Sequence, residues 1–208
     1  MTLELYLAYL VATTIVLVVP GPTIMLVIGY ALAEGRRSAF AIVAGVGLGD
    51  LLAATVSLAG LGALLATSAS LFTVLKWLGA GYLVWLGIRL WRREPHLAAT
   101  DDDRVRRSDW QKGLHAFVVT ALNPKGIAFF IAFLPQFVNP AAPLAPQLVL
   151  LGATFVVLGV VNAALYAALA GTIGTRIRRP ATLRLINRTG GSVLIGAGLL
   201  TAAMRRAA

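Results

Sequence analysis

The sequence predicts an all-α integral membrane protein: six transmembrane helices forming two inverted three-helix repeats, with helices 1 and 4 broken or kinked at proline motifs. Three observations carry this. Hydrophobic residues make up 59% of the 208, only 12% are charged, and mean hydropathy is +0.84, whereas soluble domains carry about 25% charged residues. Six apolar segments are long enough to cross about 30 Å of hydrocarbon, which takes roughly 20 helical residues. Two of them are interrupted at corresponding places, by Pro20, Gly21 and Pro22 and by Asn123, Pro124 and Lys125.

The segments run from Leu5 to Ala31, Ala39 to Leu65, Leu71 to Trp91, Gly113 to Phe137, Leu148 to Ile173 and Leu185 to Met204. Met1 to Leu5 contains Glu4 and no basic residue, so the first segment reads as a retained span rather than a cleaved leader. Residues 1–92 form the first repeat, 93–112 a basic cytoplasmic linker and 113–208 the second repeat. Laying Leu75 to Arg89 over Ile186 to Leu200 aligns Gly79 with Gly190, Leu83 with Leu194 and Gly87 with Gly198. Three spans per repeat make the two halves enter the membrane in opposite directions.

Lys and Arg in short loops favour the cytoplasmic side. Most of the 18 basic residues fall in the first, third and fifth connections: Arg36 and Arg37; Arg89 through Lys112; and Arg176 through Arg188. This places both termini outside. The net charge of +10 is thereby explained by topology and contact with anionic lipid, not nucleic acid. Asp101 to Asp103 read as part of a solvated linker.

Pro20 and Pro22 remove two backbone donors, and Gly21 between them permits close approach, so the first span is expected to kink or unwind there. Lys125 adds an ionisable group halfway through a span, an expensive position unless it reaches water or a partner. It either faces an internal cavity or snorkels to an interface. Asp50 is the one acidic residue in the middle of a span and follows Gly45, Gly47 and Gly49, which serve either close helix packing or a ligand. Lys125 is its natural counter-ion, in a fixed pair or a functional one. Asn162 and Tyr166 share a helix face, for interhelical hydrogen bonding or for recognition.

Other chemistries find little support. With no cysteine there is no disulfide, thiol redox centre or cysteine metal site. His96 and His115 stand apart from any metal-ligand cluster. Trp77, Tyr82, Trp85 and Trp91 fit interface anchoring and packing. No glycine-rich nucleotide motif or Ser, His, Asp set assembles, so neither cofactor nor enzymatic activity is expected.

Pro20, Gly21, Pro22 and Thr23, the Gly45 to Asp50 run, and Leu122 to Gly126 followed by Phe129, Phe130, Pro135, Gln136 and Phe137 resemble the LysE/RhtB family of amino-acid exporters. The resemblance covers essentially the whole chain. It implies a proton-motive-force-dependent exporter of amino acids or their derivatives in the bacterial cytoplasmic membrane, and assigns functional weight to Pro20, Gly21, Pro22, Asp50, Asn123, Pro124 and Lys125. Members handle basic, neutral and hydroxylated amino acids, so the substrate stays open.

The resulting expectation is proton antiport by alternating access around a midplane site. Broken-helix ends and Lys125 receive the substrate carboxylate, Asp50, Asn162 or exposed carbonyls receive its ammonium, and Asp50 carries the proton. The alternatives are metal-ion export within the same superfamily and a non-transporting membrane interaction protein. Small-residue faces are compatible with a homodimer.

Overall fold

The computed structural model describes residues 1–34, 38–67, 69–92, 108–139, 142–177 and 180–203. His96, Asp101 to Asp103 and the arginines of the long linker lie outside the described residues, as does the side chain of Lys76. The described elements are helical throughout. They are α1 (Leu3–Val18), α2 (Pro22–Glu34), α3 (Ala39–Thr67), α4 (Ala69–Arg92), α5 (Asp109–Ala121), α6 (Pro124–Ala128), α7 (Leu144–Ile177) and α8 (Pro180–Ala203). A π-helical turn, Phe129–Phe133, and a 3-10 turn, Leu134–Phe137, continue α6.

Local chemistry sets the boundaries. Thr2 caps α1 by accepting from the Leu5 amide at 3.3 Å. Ser108 and Gln111 form a reciprocal capping box at the start of α5, so this helix begins at Asp109, four residues before the expected edge. Both breaks follow from proline. Val19, before Pro20, and Asn123, before Pro124, adopt the same extended backbone, φ −67° and ψ 111°, because the following ring disfavours the helical region. Pro22 and Pro124 then stand first in α2 and α6, where no amide donor is needed. The α1–α2 pair is bent by 53°.

By length and composition, Ala39–Ala63, Asp109–Phe137 and Leu144–Ala170 can each cross a membrane, and the bent α1–α2 pair makes a fourth such span. Helices α4 and α8 are 24 residues each and carry Arg89 and Arg92, and Arg184 and Arg188. Large apolar side chains point outward on many helices, among them Phe40, Val56, Val149 and Leu165. That is the surface expected of a chain whose solvent is lipid.

Glycine permits the closest helix contacts. A Cβ on Gly45 would collide with the carbonyl oxygen of Gly113, and one on Gly49 would lie 2.7 Å from that of Phe117, so α3 and α5 run parallel with backbones touching. Helices α4 and α8 run antiparallel along a second such seam. A Cβ on Gly87 would meet Gly191 O at 2.6 Å and Ile195 N at 2.9 Å; one on Gly198 would meet Ala80 O at 2.7 Å and Val84 N at 3.1 Å.

Two buried clusters lie on either side of the breaks. In one, Tyr9 of α1, Phe129, Phe130, Phe133 and Phe137 of the π and 3-10 turns, and Phe155 of α7 pack with ring centroids 4.6 to 6.1 Å apart. The other joins Val27 and Tyr30 of α2, Ile42 and Val46 of α3, Ala116 of α5 and Ala163 of α7. Beyond it, Lys112 does not behave as a linker cation. It is buried, pairs with Glu34, and donates to Ser38 Oγ at 3.1 Å and Asp109 Oδ1 at 3.2 Å.

Candidate functional site

An uninterrupted helix would pair the carbonyls of residues 16 to 19 with the amides of residues 20 to 23. Pro20 and Pro22 have no amide hydrogen, and the bend separates the rest. All four carbonyls nevertheless have partners. The Lys125 ammonium donates to Val16 O at 3.0 Å and Val19 O at 2.8 Å. Asn162 Nδ2 donates to Leu17 O at 3.0 Å, and the Tyr166 hydroxyl to Val18 O at 2.8 Å. Three polar side chains from α6 and α7 thus form a rim around the end of α1, where carbonyl dipoles favour positive charge.

Lys125 reaches the rim because of Gly21 and Asn123. Its Cε and Nζ lie 3.4 Å from where a Gly21 Cβ would be. Asn123 caps α6 by accepting from the Lys125 amide at 3.1 Å, and donates through Nδ2 to Thr23 Oγ1, also at 3.1 Å. Thr23 Oγ1 additionally accepts from Thr120 Oγ1 at 3.3 Å. The two breaks are therefore tied directly to each other.

Asp50, on α3, enters from the opposite wall. Its carboxylate fills the space that a side chain at Gly159 of α7 would need. Asp50, Lys125, Gly21, Asn123 and Asn162 line one small cavity of about 30 Å³, room for water and far too little for an amino acid. Asp50 and Lys125 share this cavity, yet no ion pair joins them among the described residues. Gly45 and Gly49 pack against α5, and of the Gly45 to Asp50 run Val46 and Asp50 line the cavity, Asp50 alone bringing a polar side chain.

On its other side Lys125 borders a much larger cavity of about 820 Å³, which Gly21 and Asn123 also line, together with Pro22, Pro124, Trp85, Arg89 and Arg92. The Arg89 guanidinium sits 5.3 Å from the centre of the Trp85 ring. Gly21, Asn123 and Lys125 thus line both the small inner space and the large vestibule and stand between them. Pro20 serves the break alone. His115 is elsewhere, bonded through Nδ1 to the Tyr30 hydroxyl at 3.0 Å between α2 and α5. Among the described residues no three His, Asp or Glu side chains gather as a metal site would require.

Thr120 and Gly159 are the parts that sequence reasoning missed; exposed carbonyls were expected at the break, but not which side chains hold them. The carbonyls had a signal, since a proline at position i leaves the carbonyl at i−4 without its amide.

The family LysE, described as LysE type translocator, matches residues 14–205. The chain belongs to the LysE family. Among its relatives, the homoserine/homoserine lactone efflux protein of Salmonella typhimurium is 35% identical over 213 residues, covering 100% of both chains. An uncharacterized membrane protein of Vibrio cholerae is 36% identical, covering 97% of this chain and 98% of its own. The leucine efflux protein of Klebsiella pneumoniae is 31% identical over 64% of this chain and 63% of its own. No solved structure matches significantly. This LysE-family chain is thus a translocator homologue whose proline breaks border a cavity that one acidic and one basic side chain share.

Proposed function

We propose that this chain is a secondary active exporter of amino acids or amino-acid derivatives in the bacterial cytoplasmic membrane. In this reading it exchanges substrate for protons by alternating access at the cavity between Asp50 and Lys125. The observation that carries the proposal is the rim: Lys125, Asn162 and Tyr166, all from the second half, hold the four carbonyls freed by the break in the first. A zwitterionic substrate needs both signs of charge in one place. The cavity offers Asp50 and carbonyl dipoles for an ammonium, and Lys125 with the amide end of α2 for a carboxylate. The efflux functions named for the Salmonella and Klebsiella relatives support the substrate class.

Six spans in two inverted repeats accompany this reading. Shifting α4 by 111 positions onto α8, the offset that aligns Gly79 with Gly190, exchanges Gly87 with Gly198, Gly191 with Ala80 and Ile195 with Val84. The contacts of Gly87 then become those of Gly198, group for group. Gly79 packs on Ala132, beyond the second break, and Gly190 packs on Val19, at the first. Such reciprocity supports a pseudo-two-fold axis between α4 and α8.

The basic connections support cytoplasmic placement of the Arg89 and Arg92 vestibule and external termini. The aromatic cluster then closes the outer side, an arrangement suited to receiving a substrate from the cytoplasm.

Counterflow in proteoliposomes with labelled amino acids, with and without an imposed pH gradient, tests the function. Wild type is expected to exchange amino acids and to accelerate under the gradient, and Asp50→Asn to exchange without acceleration. Survival of pH-driven transport in Asp50→Asn removes Asp50 from coupling.

A further inference from the structure

The Lys125 ammonium is tethered at a place whose chemistry suits any primary ammonium. It is buried, 8% exposed, and directs two donors at Val16 O and Val19 O, at the negative end of a sixteen-residue helix. An ammonium has three donors, and no carboxylate takes the third among the described residues. Nothing in this arrangement requires the covalent link to α6. It requires a positive nitrogen with at least two hydrogens, at the meeting point of the 30 Å³ cavity and the 820 Å³ vestibule.

We propose that the Val16 and Val19 carbonyls are the binding site for the substrate's ammonium, and that Lys125 occupies this site as a tethered surrogate while the transporter is empty. The assignment rests on the amino-acid reading above and deepens it. When substrate arrives through the vestibule, its ammonium takes the two carbonyls, and the displaced Lys125 pairs with the substrate carboxylate a few ångströms away. One exchange thereby satisfies both substrate charges and leaves no buried charge alone. It also breaks the contact through which Lys125 holds α6 to the end of α1, freeing the two broken spans to move. A ligand with only one of the two charges completes half the exchange: an amine displaces Lys125 without giving it a partner, and a carboxylate cannot hold the carbonyls.

The test needs no knowledge of the physiological substrate. Lys125→Ala deletes the equivalent of n-propylammonium, which the vestibule can deliver. Thermal unfolding of the purified full-length variant in detergent is followed with n-propylammonium, tetramethylammonium or sodium chloride at equal ionic strength. A saturable rise of several degrees with n-propylammonium alone is expected for Lys125→Ala. Wild type, and Lys125→Met, whose side chain fills the space without charge, should not respond. If Lys125→Ala cannot be recovered folded, its recovery with n-propylammonium but not tetramethylammonium is the same result. A Lys125→Ala protein indifferent to n-propylammonium, or an equal response in all three proteins, overturns the cation site.

A second arm addresses the exchange in reconstituted wild type, with L-leucine, L-leucinamide and N-acetyl-L-leucine as competitors of leucine counterflow. Both analogues should compete at least about ten-fold more weakly than leucine, each lacking one charge-assisted pairing. Equal competition by N-acetyl-L-leucine overturns the exchange. Absence of counterflow with leucine, homoserine and the other labelled amino acids alike counts against the amino-acid reading, and the amine response still decides the cation site.

Discussion

Gly159 on α7 leaves the space in which the carboxylate of Asp50 on α3 lies, and a Cβ built there would overlap Asp50 Oδ2. The pair joins the one acidic group of the cavity to a position without a side chain, so Gly159→Ala should act on Asp50 before anything else. The carboxylate would have to rotate or α7 to withdraw, at a cost of about 1–3 kcal/mol. Gly159→Ala is therefore expected to reduce pH-driven transport strongly, with a thermal stability loss no larger than that of Asp50→Asn. Full transport in Gly159→Ala would show that the carboxylate position is immaterial.

The rim makes a graded prediction. Tyr166→Phe removes the donor to Val18 O, and Asn162→Leu the donor to Leu17 O. Each leaves a carbonyl without a partner, costing about 1–3 kcal/mol where water cannot replace it. Asn162 lines the cavity, whereas Tyr166 is not among its lining residues. Thermal unfolding should show losses for both variants, while counterflow affinity should suffer more in Asn162→Leu. Equal affinity losses would mean that both residues act only through the backbone of α1.

Much of this site was legible because it depends on residue types with unequivocal physics. Pro20, Pro22 and Pro124 had to interrupt their helices, and Asp50, Lys125, Asn162 and Tyr166 stood out as polar groups in apolar segments. That Lys125 reaches across to Val16 and Val19 was not legible, because the prolines show which carbonyls lose an amide but not which side chain from the second half replaces it. Gly159 gave no signal beyond being small. The π-helical turn at Phe129–Phe133 is written in a run of apolar residues that would equally suit an α-helix. Lys112 looked like a member of a basic loop. Only the Ser108 and Gln111 spacing hinted that the helix began early enough to bury it against Glu34.

The α4–α8 seam allows the repeat to be tested energetically. Gly87→Ala and Gly198→Ala each place a Cβ against a backbone carbonyl and amide of the other helix, at 2.6 and 2.7 Å from the carbonyl oxygens. Overpacking against backbone costs about 1–3 kcal/mol. Gly81 and Gly196, on the same two helices, have nothing within 4 Å of where a Cβ would sit, and Ala there should be neutral or up to about 1 kcal/mol stabilising. Thermal unfolding of the four variants in one detergent is expected to separate them into two matched pairs. A large loss at Gly87 with none at Gly198 would contradict the reciprocity.

The Glu34 and Lys112 pair fastens the end of α2 to the start of α5, on the side of the molecule where the vestibule opens. Ser38 Oγ donates to Glu34 Oε2 at 2.5 Å and Lys112 also reaches Asp109, so the pair sits in a network that ties α2, the residue preceding α3, and α5 together. Lys112→Met leaves the Glu34 carboxylate, 15% exposed, without its cation, and should cost about 2 kcal/mol through the lost charge-assisted bonds. Glu34→Gln should cost less, because Asp109 still neutralises Lys112. The double variant should recover part of the Lys112→Met loss, since no uncompensated carboxylate then remains at position 34. Strict additivity in thermal unfolding would mean that the two residues act independently. If the network also holds these helix ends together during the transport cycle, Glu34→Gln should raise the counterflow rate while lowering stability. A fall in both would confine the network to a structural role.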